Sequence, residues 1–311
     1  MALARFVQHC SRIWLRLAVS AFLLALFVAV RPGWAAEEVA YGQGLLWQID
    51  GAAGAPSYLL GTMHSADEEV AALPAPVAEA FAEAGSLSLE IIFTPEARMK
   101  LVRAMALTDG RTLEGIIGGD LFDRVVTASR PYGIPDQVLM HLKPWAVLTL
   151  LSLPPSEVKR QAAGEKPLDM RLQAEASERG LPLHGLETVD DQIGLFERLS
   201  EPDQIAMLES TVELNDQVEA LFETMRQAYL ARDTAAILNL MQSLQTGYDP
   251  VLVETFTEEM LDRRNVGMVE SMQDRLADGR AFVAVGALHL PGENGILRLL
   301  EQRGYRVTRL Y

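Results

Sequence analysis

Residues 281–295 read AFVAVGALHLPGENG: five apolar residues, then Gly286, then His289 three positions on, then a Pro-Gly break. A short apolar run bounded by glycine and proline reads as a buried strand. Residues 57–65, SYLLGTMHS, repeat the plan with Gly61 and His64. The two histidines lie 225 positions apart. Two strands that each end in Gly-x-x-His can deliver two imidazoles to one place. The glycines let the backbone turn at positive φ, or approach another segment closely, as each strand ends.

Working outward, GLLWQID (44–50), the turn GAAGAP and SYLLGT form an antiparallel hairpin. PAPVAEAFAEAG is a helix with proline near its start and Gly85 at its end, and SLSLEII is a strand. Thr94 caps, and Pro95 opens, a helix over TPEARMKLVRAMAL. Residues from Asp120 to about Leu153 are helical, with Pro144 kinking or dividing the second segment. PPSEVKRQAAGEKP (154–167) reads as a loop. LDMRLQAEASERG is a helix ending at Gly180, LPLHGLE a strand, and TVDDQIGLFERL a helix capped by Thr188. From SEPDQIAML to RLADG about 80 residues run almost wholly helical. AFVAVG is a strand, ENGILRLLEQRG a helix and YRVTRLY a closing strand. Strands alternating with helices predict an α/β fold: a central, largely parallel sheet with flanking helices and long helical insertions. The first and last strands share one sheet, which makes residues 42–311 a single domain.

The N-terminus stands apart. Arg5, Arg12 and Arg16 precede the uncharged apolar run LAVSAFLLALFVAV (17–30), and Gly33 and Ala35 supply small residues after it. That is the plan of a secretory signal peptide over residues 1–35, cleaved after Ala35; retention as an N-terminal anchor is the alternative. The apolar run is shorter than the roughly 20 residues of a spanning helix. Either reading puts the rest of the chain outside the cytoplasm, periplasmic or secreted in a bacterium, and touching the membrane only if the segment stays as an anchor. The one cysteine, Cys10, lies within this segment, so the rest of the chain has no disulfide, thiolate ligand or thiol nucleophile. The formal charge is −15; without Arg5, Arg12, Arg16 and Arg31, 23 basic residues face 42 acidic ones. A nucleic-acid partner would be repelled. The acid excess is a solvated surface.

The predicted strands end at chemistry-bearing residues: His64, Glu90, Glu187 and His289. Sites in open α/β sheets lie beyond the carboxyl ends of parallel strands. Two neutral imidazoles and a carboxylate with open positions suit a divalent transition metal, which acidifies bound water and polarises a carbonyl. A second glutamate can take the proton. Each candidate has a plainer alternative. The histidines are hydrogen-bonded strand-end residues, Glu187 serves the start of the next helix, Arg264 pairs with Glu258 or Glu259, and Asp169 caps a helix. His141 packs within a helical segment, His184 is structural, and Met260, Met268 and Met272 recur at helical spacing as core residues. No His-Glu-x-x-His, Gly-x-Ser-x-Gly, phosphate-binding loop or Gly-x-Gly-x-x-Gly occurs.

LLWQIDGAAGAPSYLLGTMHSA with LSLEI resembles the opening of the TraB/GumN family, whose extracellular animal relatives are the Tiki proteases. PLDMRLQAEASERGLPLHGLETVDDQIGLFERLS resembles its middle signature, and RRNVGM and FVAVGALHLPGENGILRLLEQRGYRVTRL its end. The resemblance covers roughly residues 42–311. It implies a fold like that of the erythromycin esterase (EreA) and ChaN group, and a metal-dependent peptidase acting on a peptide or small-molecule substrate. His64 and His289 match the family's two histidines and Glu90 its strand-end acid, implying manganese, cobalt or zinc between them. Glu187 matches the Leu-Glu-Thr of the middle signature and is base or orienter. Arg264 and Asn265 match an Arg-Asn pair that holds substrate or oxyanion. Asp169 matches a Leu-Asp position. The rival readings are a non-catalytic haem- or ligand-binding protein and an accessory factor in exopolysaccharide production. Oligomeric state is not legible.

Overall fold

The computed structural model describes residues 39–51, 54–244, 253–254 and 257–311. The proposed signal, residues 1–35, lies outside them. The chain is a mixed α/β protein whose residues group into two compact units.

One unit holds the sheet and takes in Lys166–Thr188 and Thr224–Tyr311 together with the described residues up to Ile92. Its strands are β1 (Leu46–Asp50), β2 (Ser57–Thr62), β3 (Ser86–Leu89), β4 (Leu183–Gly185), β5 (Ala281–Gly286) and β6 (Arg306–Arg309). Their order is β4-β3-β5-β2-β1-β6. β4, β3, β5 and β2 are mutually parallel, and β1 runs antiparallel to both β2 and β6. The expected hairpin and the shared sheet of first and last strands are both present.

Every residue of β2 and β5 is buried, which is why both read as continuous apolar runs. Alternation along β5 divides the core. Phe282 and Ala284 face Val77, Phe81, Leu168, Leu172 and Tyr229. Ala281, Val283 and Val285 face Met268, Met272, Leu276, Ile296 and Leu300. Phe81 and Phe282 meet at 5.0 Å between ring centroids. Burying each large apolar side chain contributes about 1.5–3 kcal/mol. Met260, Met268 and Met272 are core residues as expected. Gly61 lies where β2 passes the chain leaving β5: a Cβ there would sit 2.7 Å from Leu290 Cδ1 and 3.1 Å from Ala287 Cα. Close approach, not a positive φ, is what this position requires. Gly286 has φ −53° and turns the chain into a short 3₁₀ segment, Ala287–His289.

The other unit, Phe93–Glu165 with Val189–Glu223, is helical. At its centre all eight residues of the helix Pro144–Leu151 are buried, and Trp145 stacks on Phe196 at 5.3 Å. An all-round apolar helix of this kind is a core element. Pro144 divides the segment by opening this helix, and Thr94 accepts from Ala97 N ahead of Pro95 as its cap role requires. Residues 154–167 depart from the loop reading. Pro155–Ala163 is a helix with Pro155 at its first position and Gly164, at φ 101°, closing it. Proline inside the start and glycine past the end are helix boundaries, and reading them as loop punctuation missed the amphipathic turns between. His141 is exposed, not packed. Among the described residues no helix is long and apolar enough to cross a membrane.

Candidate functional site

The carboxyl ends of the four parallel strands lie on one edge, with Thr62 opposite Gly286 and Leu89 opposite both Ala284 and Gly185. His64, Glu90, Glu187 and His289 all follow those ends. Pairing continues past β3 and β4, as Leu186 N donates to Leu89 O (2.8 Å) and Glu187 N to Glu90 O (2.8 Å). Glu90 and Glu187 therefore leave adjacent backbones side by side.

Arg264 joins them. It lies in the first turn of the helix Arg263–Ser271, directly after the π-helical turn Glu258–Asp262. Its Nε donates to Glu187 Oε1 (2.9 Å) and its Nη2 to Glu187 Oε2 (2.8 Å), a bidentate fork. Nη2 also donates to Glu90 Oε2 (2.7 Å), and Nη1 reaches Met260 O (3.3 Å). Arg263, not Arg264, pairs with Glu258 and Glu259. Burial penalises the charge on Arg264, but the two carboxylates outweigh that and raise its pKa. Glu90 also accepts from Gly286 N at Oε1 (2.7 Å). Burial alone would raise the Glu90 pKa, yet Arg264, the two imidazoles and this amide hold it at about 2.

His289 is completely buried. Its Nδ1–H donates to Asn265 Oδ1 at 2.6 Å. The Asn265 amide is oriented by its own donation to Asn294 O (2.8 Å), which leaves Oδ1 as the acceptor. Burial first, then the Arg264 charge, pushes the imidazole pKa down to about 3, so the ring is neutral. Nε2 then carries a lone pair. It has no hydrogen-bond partner and lies 3.8 Å from Glu90 Oε1.

His64 is built on the same plan. Its Nδ1–H donates to Asp169 Oδ2 (2.9 Å), and Thr62 Oγ1 donates to Asp169 Oδ1 (2.7 Å). Burial disfavours the imidazolium, but the charge and hydrogen bond of Asp169, with the charge of Glu90, hold the pKa at about 9. Asp169 lies within the helix Leu168–Glu178, whose N-cap is Pro167, so its carboxylate serves His64 and not the cap. Tyr229 OH fixes the end of β2 by donating to Gly61 O (3.1 Å).

The edge thus gathers all six residues singled out from sequence: His64, Glu90, Glu187, Arg264, Asn265 and His289. It adds Thr62, and it sets beside His64 the Asp169 that the sequence reading had matched only to a Leu-Asp position or a helix cap. Asp169 carried no signal except its place in the Leu-Asp motif, because its contact to His64 spans 105 positions. Both polar ends of Asn265 are engaged within the protein, as are the fork of Arg264 and the oxygens of Glu187 facing it. These three hold the centre together.

The donor chemistry fits a divalent ion. Each imidazole is tied at Nδ1 to an oxygen acceptor, the arrangement that orients a ligating histidine through Nε2. The carboxylates of Glu90 and Glu187 face the Arg264 guanidinium and that of Asp169 faces His64, so acidic groups outnumber the cations that pair with them, and the excess favours a bound cation. Among the described residues no three histidine, aspartate or glutamate side chains are already drawn in to ligand spacing.

A polar centre at the carboxyl edge of parallel strands, in a mixed sheet whose first and last strands pair with each other, defines the class: an α/β protein with a strand-end His/Glu site. The chain belongs to the TraB/PrgY/gumN family, whose family model matches residues 45–309. It is 24% identical over 253 residues to "Uncharacterized protein YbaP" of Shigella flexneri, covering 78% of this chain and 87% of that one. The same holds over 252 residues, with the same coverage, for "Uncharacterized protein YbaP" of Escherichia coli strain K12. No solved structure matches the chain.

Proposed function

We propose that this family member is an exported, metal-dependent hydrolase acting on a peptide or amide bond, with a fold akin to the erythromycin esterase and ChaN group. The observation that carries the reading is the buried, unpartnered Nε2 of His289 facing Glu90. A buried polar atom without a partner costs about 1–3 kcal/mol, so it is retained where something else uses it. His64 through Nε2, His289 through Nε2 and Glu90 would hold manganese, cobalt or zinc. When bound, the ion supplies Lewis acidity and lowers the pKa of water. Arg264 keeps Glu90 ionised and in place, and Glu187 holds Arg264, which favours orienter over base for Glu187. Asn265 fixes the His289 tautomer.

The test takes exported protein from cells expressing the full chain, measures its metal content, and follows cleavage of a peptide mixture with and without chelator. Stoichiometric divalent metal with chelator-sensitive cleavage supports the reading. Protein that stays metal-free in excess manganese, cobalt or zinc refutes it, and a Soret band on haem titration without cleavage favours the binding protein instead.

A further inference from the structure

We propose that Asp169 and Thr62 are positioning residues for His64: together they fix its ring through Nδ1 and so aim Nε2 at the strand edge. The inference rests on the metal reading above and assigns residues that reading leaves idle. Asp169 is 5% exposed and both its oxygens are engaged, Oδ2 by His64 and Oδ1 by Thr62. A carboxylate held at both ends cannot rotate away from the ring. Each partner is anchored by the core. Leu168, Leu172 and Ala176 of the same helix pack under the sheet. Thr62 is locked by the pairing of β2 with β5, opposite Gly286, and its hydroxyl also lies 3.3 Å from Val285 O. The position of His64 is thereby tied to β5, the strand that delivers His289.

The second histidine provides an internal comparison. His289 has the same Nδ1–H contact, but to the carboxamide of Asn265. A carboxylate acceptor makes the attached imidazole a more basic ligand than a neutral one does, and losing such an outer partner typically costs 10–100-fold in metal affinity. His64, the more exposed ring at 14% against 0% for His289, is the one given the carboxylate.

Exported protein stripped by chelator and titrated with Co²⁺ alone, followed by cobalt absorption, tests this. Asp169→Ala should weaken Co²⁺ binding by about 10–100-fold and alter the absorption spectrum. Asp169→Asn, which keeps an acceptor for Nδ1–H, should recover part of the loss. Thr62→Val should weaken binding by less than Asp169→Ala, and Thr62→Ser should restore it. Thermal unfolding of each metal-free variant reports whether it folds. If Asp169→Ala does not, Asp169→Asn and the Thr62 pair decide the matter. Wild type that binds Co²⁺ while the folded variants bind as tightly overturns the positioning role and leaves the metal reading standing. Wild type that binds no Co²⁺ overturns the metal reading, and this inference with it.

Discussion

Arg264 governs the centre because its single positive charge is shared by two carboxylates, the buried Glu90 and the part-buried Glu187. Removing one partner of a buried ion pair strands the others, at a cost of about 3–5 kcal/mol. Arg264→Met should therefore destabilise the protein by about that much in urea denaturation, and Arg264→Lys should recover only part, since an ammonium cannot form the fork to Glu187. A loss below about 1 kcal/mol would show the charges to be solvated. The two histidines should respond to pH in opposite senses once metal is chelated. His289 is held near pKa 3, below its ordinary 6.5, so the unfolded chain binds the proton more tightly. Its contribution is present above pH 6.5 and is lost as pH falls toward 3. His64 is held near 9, so its contribution is complete below pH 6.5 and is lost as pH rises through 9. Thermal midpoints of chelated wild type and His64→Ala should accordingly converge between pH 6.5 and 9. A gap that stays constant there would rule out a raised His64. His289 is wholly buried whereas the His64 ring is partly exposed, so His289→Ala should destabilise more than His64→Ala.

At the scale of the elements, the site depends on how tightly β2 and the exit from β5 approach. Gly61 permits that approach, because an added methyl group would meet Ala287 backbone as well as a movable Leu290 side chain. Gly61→Ala should cost about 1–3 kcal/mol, as overpacking does. It should also reduce metal binding, since Thr62 and His64 follow directly on the displaced strand. Unchanged stability in denaturant, with unchanged metal content, would mean the strand accommodates the methyl freely. The helix Pro155–Ala163 opens on a proline and closes at Gly164. Its proline and glycine are the same residues that punctuate loops, and only the hydrogen-bonded turns between them separate the two cases.

For the whole molecule, export is the prediction that belongs to the chain as a unit. Three arginines, a 14-residue apolar run and a small-residue site precede the folded part. Fractionated cells should hold the protein outside the cytoplasm with its N-terminus at or near Ala36, or, if the segment is retained, full length at the membrane. Full-length protein in the cytosol would count against both. The parallel strands were legible because a strand buried on both faces has to be apolar throughout, and β2 and β5 are. The hairpin and the closing strand were legible from alternation and turn residues. By itself, then, the sequence determined the succession of strands along the chain, the residues that end each strand and the family pattern they compose. Only the tertiary structure decided their partners. Asp169 looks like a cap in sequence, and Arg264 looks like a partner for its own helix, because periodicity reports contacts within about one turn. Their actual partners, His64 for Asp169 and Glu90 with Glu187 for Arg264, lie between 77 and 174 positions away. Such pairs are set by which elements the hydrophobic core stacks together, and a burial pattern records that an element faces the core without recording what it meets there.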